Sequence, residues 1–436
     1  MQSSVIIGLI GLIIFIVMLF TGLPVSVSMM LCGTVGCMFF LRTPMSAVTI
    51  LSDNVLGTFT SYTTSVCAMF MLMGDLASES GIGRGLFETI QALTGSRKGI
   101  LASASQVVCA IFGAICGSGS ATASMMCRVA YPEMVRFNYK TSISTGCIAS
   151  GASLATLIPP SLPLIAYGLA TNTSIGKLFL AGILTGVMLM VCFIIVIQIW
   201  CVVDPSAAPA SVKTTLKEKI QALKNGSLVQ IVLLFALAMG GIFAGWFTPT
   251  EAGVVGVAGI VLLLLLTRKF TWKILFRAIE NTIIMSGVLY CLLAGATTFG
   301  KFFTLSRIPV ELGLLVENLH VPALLVIFII TIIYLVLGCF IDVLPLMLLT
   351  APIFLPVIQT LGYDPLWFGV YVVVIMGLGA ITPPVGMSCY ITSSVSGVEL
   401  QTVFKGALPF IIAFVACAML MAIIPGVATY LPHALM

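Results

Sequence analysis

Two apolar runs in this chain carry the same interruption. Ala155-Thr156-Leu157-Ile158-Pro159-Pro160-Ser161 and Ala380-Ile381-Thr382-Pro383-Pro384-Val385-Gly386 each fall inside a stretch long and apolar enough for a membrane helix. Adjacent prolines remove two backbone donors and clash with the preceding turn, so neither run is one continuous helix. Pro159 and Pro383 lie 224 residues apart, and the same offset separates Pro132 from Pro356 and Gly182 from Gly406. The chain therefore reads as a duplication. Interrupted hydrophobic segments at matching positions of two halves point to the binding site of a secondary transporter.

Composition narrows the class. The 436 residues are 60% hydrophobic and 8% charged, with a mean hydropathy of +1.21, against about 25% charged in an ordinary soluble domain. This is a polytopic membrane protein, with membrane lipid around it. The net charge of +5 raises an anionic partner, but the Lys and Arg residues fall in short gaps between apolar runs. The positive-inside rule accounts for them there, and nothing calls for nucleic acid. The thirteen Cys are scattered singly with no CxxC, as small core residues rather than a disulfide framework or a metal site. Val5–Phe20 follows no basic segment and the next run begins within a few residues, so it reads as a first span, not a cleaved signal.

Taken in order, Val5–Phe20 and Val25–Leu41 form a helical hairpin, each near the roughly 20 residues that cross a hydrocarbon core. Pro44–Leu56 and Ile82–Leu93 read as interfacial pieces on either side of a third span, Phe59–Leu76. The run Gly99–Val135 is interrupted at Gly113–Thr122, where three glycines and three hydroxyls in ten residues end one helix and cap the next. Arg97 and Lys98 precede this run and Arg136 and Lys140 follow it, which puts both ends on one side. Such a re-entrant hairpin is tolerated at membrane depth only where protein or a water-filled cavity covers it. Thr141–Leu169 is the first broken span and Leu178–Cys201 a full one.

Asp204–Ser227, with Lys213, Lys217, Lys219 and Lys224, reads as a polar loop between the halves. The second half then repeats the plan. Its hairpin is Leu228–Phe247 with Ala252–Leu266, followed by the span Thr282–Gly300 and the interfacial Arg307–Leu319. A second re-entrant hairpin, Val321–Ile358, breaks at Gly338–Pro345; Leu366–Ser393 is the second broken span, and Phe404–Ala428 closes the chain.

The expected fold is an all-α polytopic membrane protein of two inverted-topology repeats, with about ten transmembrane helices, two re-entrant helical hairpins and two broken helices. The first repeat, 1–203, comprises scaffold 1–97, hairpin 98–136, broken helix 141–170 and helix 178–203. After the loop 204–227, the second repeat, 228–436, comprises scaffold 228–319, hairpin 321–358, broken helix 366–395 and helix 403–430. An odd number of crossings per half makes the halves face opposite ways. The basic loops 204–227 and 267–277 mark the cytoplasm, which places both termini outside.

Four breaks supply the chemistry. Asp342, in the second hairpin's break, is one of few acids deep in an apolar stretch, and an intramembrane carboxylate is by default functional. The plainer reading makes it a helix cap. Proline-interrupted turns free backbone carbonyls, and hard cations such as Na⁺ prefer oxygen ligands. Candidate ion ligands are Gly117, Ser118, Thr156, Leu157, Pro159, Gly338, Asp342, Ala380, Thr382 and Pro383. The new helix N-termini suit an anionic substrate, with candidate contacts at Ser118, Ser120, Thr122, Ser161, Thr382, Pro384, Gly386 and Met387. An enzyme is not expected: Asp75 lacks the GxGD context of an intramembrane aspartyl protease, and no HExxH or Walker motif occurs. His320 and His433 stand isolated near run ends.

Gly117-Ser118-Gly119-Ser120-Ala121-Thr122-Ala123, Leu157-Ile158-Pro159-Pro160-Ser161 and Gly379-Ala380-Ile381-Thr382-Pro383-Pro384-Val385-Gly386 resemble the large membrane subunit of tripartite ATP-independent periplasmic (TRAP) transporters. The resemblance covers nearly the whole chain. It implies an elevator-type transporter of the bacterial inner membrane, in which two hairpins and two broken helices slide against a scaffold. It also implies Na⁺ as coupling ion, a small four-helix membrane subunit, and a periplasmic substrate-binding protein that delivers an organic acid of the sialic acid or C4-dicarboxylate type. The extra N-terminal helices of the fused version are absent here, so the small subunit is expected as a separate chain. The alternatives are a binding-protein-independent Na⁺/carboxylate carrier of the same superfamily and an intramembrane enzyme.

Overall fold

The computed structural model describes residues 2–210, 215–225, 227–318 and 322–435, and every regular element among them is an α-helix. The first half runs α1 (Gln2–Phe20), α2 (Val25–Met38), α3 (Pro44–Thr60), α4 (Ser65–Glu79), α5 (Ile82–Thr94), α6 (Ile100–Cys116), α7 (Gly119–Arg136), α8 (Thr141–Gly151), α9 (Leu154–Leu157), α10 (Leu162–Thr171) and α11 (Ile175–Val203). After α12 (Leu216–Asn225) the second half runs α13 (Leu228–Phe243), α14 (Pro249–Leu266), α15 (Trp272–Ser306), α16 (Ile308–Asn318), α17 (Ala323–Gly338), α18 (Val343–Thr360), α19 (Pro365–Gly379), α20 (Met387–Ser396), α21 (Leu400–Ile423) and α22 (Gly426–Leu435).

The order of elements repeats. The hairpin α6–α7 corresponds to α17–α18, the broken run α8–α10 to α19–α20, and α11 to α21. Six helices or helix runs are individually long and apolar enough to cross a membrane, Thr141–Thr171 among them, and eight if each bent pair counts as one span. Shorter apolar helices, including Val25–Met38 and Ala323–Gly338, add to these.

Five details depart from the sequence reading. The third span does not begin at Phe59, because α3 runs to Thr60 and bends by 48° into α4. Its counterpart α15 is a single 35-residue helix, about 52 Å long at 1.5 Å per residue. That exceeds a bilayer core and takes in 272–277 of the basic stretch 267–277, leaving 267–271 as the connection from α14. The central polar loop contains α12, and the closing span is two helices, since α21 stops at Ile423 and Pro425 precedes α22. His433 is not isolated: its Nε2 lies 3.2 Å from Asp364 Oδ2. His320, Val321 and Lys213 lie outside the described residues.

Both ends of the α6–α7 hairpin are tied to one place. Gly99 N donates to the Ala208 carbonyl (3.1 Å) and Lys140 N to the Ala207 carbonyl (2.9 Å), and Lys140 Nζ lies 2.5 Å from Asp204 Oδ2. The hairpin therefore returns to the edge from which it started. Its turn is compact because Gly117 takes φ +61° and donates to the Gly113 carbonyl at 2.8 Å, while Ser118 caps α7 by accepting from Ala121 N. Glycine closes one helix and a hydroxyl opens the next.

Helix association in lipid relies on close packing at small residues rather than on apolar burial. A Cβ on Gly146 would stand 2.1 Å from the Gly406 carbonyl, and one on Gly406 would stand 1.9 Å from the Ser142 carbonyl. So α8 and α21 cross backbone to backbone. The halves also interlock through α2 on α15 and α14 on α4. Every residue from Gly151 to Gly168 and from Leu366 to Ile381 is buried, whereas α1, α13 and α15 present exposed Ile, Leu, Val and Phe. The broken runs are the core, and the continuous helices form the apolar perimeter.

Candidate functional site

The four breaks meet. Each hairpin turn first docks on the broken run of its own half: Leu162 N donates to the Gly117 carbonyl (3.5 Å), and Gly386 N to the Cys339 carbonyl (3.3 Å). Between the two docked pairs lies a cavity of about 60 Å³ lined from all four breaks. The first hairpin contributes Gly117, Ser118 and Ser120, and the first broken run Ser153, Thr156 and Leu162. The second hairpin contributes Asp342 and Val343, and the second broken run Gly377, Ala380, Met387, Ser388 and Ile391. Drug-sized ligands occupy roughly 300–1,000 Å³, so in this conformation the space suits ions and single polar groups.

The donor set is oxygen-rich. Ser118 Oγ and Ser120 Oγ lie 3.1 Å apart, and Thr156 Oγ1 donates to the Ser153 carbonyl at 2.8 Å. A hydroxyl that donates its proton keeps lone pairs for a cation. The cap reading of Asp342 holds, and its carboxylate also borders the cavity. It is the N-cap of α18, with Oδ1 accepting from Val343 N at 2.8 Å, and it is exposed at the cavity lining. Among the described residues no Lys, Arg or His lies within 4 Å of its carboxylate. Within that distance its carboxylate has no basic partner among the described residues, and hydroxyls, carbonyls and carboxylates are what a hard cation takes as ligands.

Several candidates stand back from the cavity. Thr122 is fully buried, and its hydroxyl donates to the Ser118 carbonyl at 2.9 Å. Ser161, also fully buried, donates to the Thr156 carbonyl and accepts from Leu164 N at 3.3 Å, so it holds the break in shape. Leu157, Pro159 and Gly338 are buried behind the lining. Both proline pairs contain a cis bond, Pro159-Pro160 and Pro383-Pro384. Thr382 donates to the Leu378 carbonyl (2.7 Å), and Pro383 and Pro384 are exposed outside the lining, as is the turn that Gly386 closes at φ +54°. The Ala380 carbonyl accepts from Ser388 N at 3.0 Å, which leaves it one lone pair.

Ser153 and Ser388 were not among the sequence candidates. The available signal was position: Ser153 sits one helical turn before Thr156, on the same face, and Ser388 adjoins Met387. Asp75, considered for protease chemistry, accepts from Thr282 Oγ1 at 2.9 Å. All thirteen Cys are free thiols, eleven of them buried.

Known proteins agree with this architecture. The family described as "Tripartite ATP-independent periplasmic transporter, DctM component" matches residues 12–427. The C4-dicarboxylate TRAP transporter large permease protein DctM of Pseudomonas aeruginosa is 32% identical over 406 residues, 92% of this chain and 93% of that protein. The sialic acid TRAP transporter large permease protein SiaM of Vibrio cholerae is 28% identical, covering 95% of this chain and 96% of its own. Among solved structures, the Alcanivorax borkumensis YdaH transporter shares the fold with a TM-score of 0.64 at 16% identity, over 88% of this chain and 90% of that one. With its order of hairpins and broken helices and a match across nearly its full length, the chain belongs to the DctM-component family, the large membrane subunit of TRAP transporters.

Proposed function

We propose that this chain is the transmembrane carrier of a Na⁺-coupled, binding-protein-dependent importer of a small organic acid in the bacterial inner membrane. The observation that carries the reading is the convergence of all four breaks on one cavity that combines hydroxyls with an unpaired carboxylate, Asp342. An anion crossing hydrocarbon alone is strongly unfavourable. Na⁺ held by Asp342, the hydroxyls and freed carbonyls would neutralise the site and draw a substrate carboxylate toward the new helix N-termini. Linkage then requires that each ligand tighten the other by the same factor. The site residues, including Gly117, Ser118, Thr156, Asp342 and Ala380, act in this reading as an ion cradle with substrate seated beside it.

The partners in this reading are those that the tripartite family name implies, a small membrane subunit and a periplasmic binding protein. Relatives named for C4-dicarboxylates, sialic acid and 2,3-diketo-L-gulonate support a small carboxylic acid as the substrate class. The two halves would lie inverted in the membrane, with the termini periplasmic and 204–227 cytoplasmic. Segments 98–170 and 321–395 would move as an elevator against a scaffold built from 1–97 and 228–319.

The test is uptake into proteoliposomes holding this chain, its small subunit and the binding protein, with labelled succinate and N-acetylneuraminate as substrates. Uptake should follow an inward Na⁺ gradient, ignore ATP and vanish without the binding protein. Accumulation that is indifferent to Na⁺ would refute the coupling; uptake without binding protein would refute the delivery step.

A further inference from the structure

One charge in the hairpin has no role in the site described above. Arg128 lies in the middle of α7, exposed, with no ion pair or hydrogen bond among the described residues. The nearby basic residues are partnered: Arg136 Nη1 is 3.5 Å from Glu133 Oε2, and Lys140 pairs with Asp204. An unpaired arginine inside a hairpin that turns back within the membrane is costly against hydrocarbon, and such residues face water-filled space.

Ser120, Ser124 and Arg128 follow at intervals of four and share one face of α7. That face is open, exposed at Ser120 and Arg128 and half-buried at Ser124, while Ala123, Met126, Cys127 and Ala130 are buried. Ser120 lines the cavity. Arg128 stands two turns further on, about 12 Å away along the axis, toward the edge where the hairpin ends are tied. α20 packs on α7, with Cys127 Sγ 3.8 Å from the Thr392 carbonyl. On α20, Met387 and Ile391 line the cavity, and Val395, the next residue at that spacing, is exposed beside Ser394. An open strip on each helix therefore leaves the cavity in the same direction.

We propose that the Ser120–Ser124–Arg128 face lines the aqueous path by which the anionic substrate travels between the cavity and the side bearing the 137–140 turn, with Arg128 as the cation that concentrates carboxylate there. This rests on the carrier reading above and adds to it a substrate path and its anion-selecting residue.

The test reads the path without a transport substrate. Ser124→Cys is placed in the complete transporter in membrane vesicles of known orientation, and modification at that position is followed by mass spectrometry. The probes are an anionic sulfonatoethyl and a cationic trimethylammonioethyl methanethiosulfonate, corrected for their intrinsic rates. One unit charge about 6 Å away at low salt changes the local concentration of each probe about three-fold, in opposite directions. Adding Arg128→Gln should therefore lower the anionic-to-cationic rate ratio about ten-fold, and Arg128→Lys should restore it. A cysteine that is unreactive, reactive only from the opposite side, or unchanged in its charge preference by Arg128→Gln overturns the path. Failure of Na⁺-driven uptake in the unsubstituted transporter would instead count against the carrier reading, whatever the labelling shows.

Discussion

Asp342 is a helix cap that also stands where the proposed ion site needs a carboxylate. Its Oδ1 caps α18 through Val343 N while the carboxylate borders the cavity. Asparagine caps a helix about as well as aspartate, so Asp342→Asn separates the roles. It should leave thermal stability in detergent near that of the unsubstituted protein and weaken Na⁺ dependence of uptake at least ~10-fold. Unaltered Na⁺ dependence would reduce Asp342 to a cap. Gly117 makes a complementary prediction about stability. Its φ is +61°, and a Cβ there would lie 2.5 Å from the Pro160 carbonyl. Gly117→Ala should therefore cost at least the ~1–2 kcal/mol of a left-handed residue, measured as a fall in Tm, because the hairpin could no longer dock on its broken run. Sequence reasoning singled out both positions because each falls in a break inside a long apolar run. It overlooked Ser153 and Ser388, since a lone serine in an apolar helix carries no sign of which way it faces.

At the scale of elements, the breaks were legible because proline and glycine act on the backbone locally, whatever the surroundings. Their exact extents were not. The first hairpin turn is only Gly117 and Ser118, since α6 continues to Cys116, and the hydroxyls beyond it belong to α7. Ser161 illustrates the local logic of a break: one hydroxyl accepts from Leu164 N and donates to the Thr156 carbonyl. Ser161→Ala should cost about 1 kcal/mol for the lost cap and a further ~1–3 kcal/mol for the buried carbonyl left unpaired. A calorimetric Tm equal to that of the unsubstituted protein would contradict this. The loop that ties down the first hairpin predicts a pH effect. Hydrogen bonds from Lys140 and Ser206 hold the Asp204 carboxyl below the usual carboxylate range. A depressed pKa contributes stability that is present above the ordinary aspartate value and is lost as pH falls through the folded value. Hydrogen-exchange protection factors at 204–208 should hold at neutral pH and fall only below about pH 4, whereas Asp204→Asn should lower them at neutral pH. The pair is exposed, so added salt should weaken the effect.

For the whole molecule, packing is decided where backbones touch. Gly406→Ala would put a Cβ 1.9 Å from the Ser142 carbonyl and should cost ~1–3 kcal/mol or more, with loss of Tm before any loss specific to Na⁺. The proposed inverted topology predicts that reporters fused at both termini read one side of the membrane and an insertion at 211–214 reads the other; any other pattern breaks the inversion. Membrane class, the helix breaks and the repeated order of elements were legible in the sequence itself, because hydropathy and backbone-breaking residues act over one helix length. The tertiary structure decided which of the interrupted segments' groups face one another. The cavity takes Ala380 and Met387 from the second broken run but leaves out the proline pair between them. That choice depends on helix rotation, which is set by contacts such as Gly146 with Gly406 and Gly117 with Pro160 across distant parts of the chain. The paired prolines thus interrupt the broken helices, while the cavity is lined by residues on either side of them and by the two hairpin turns.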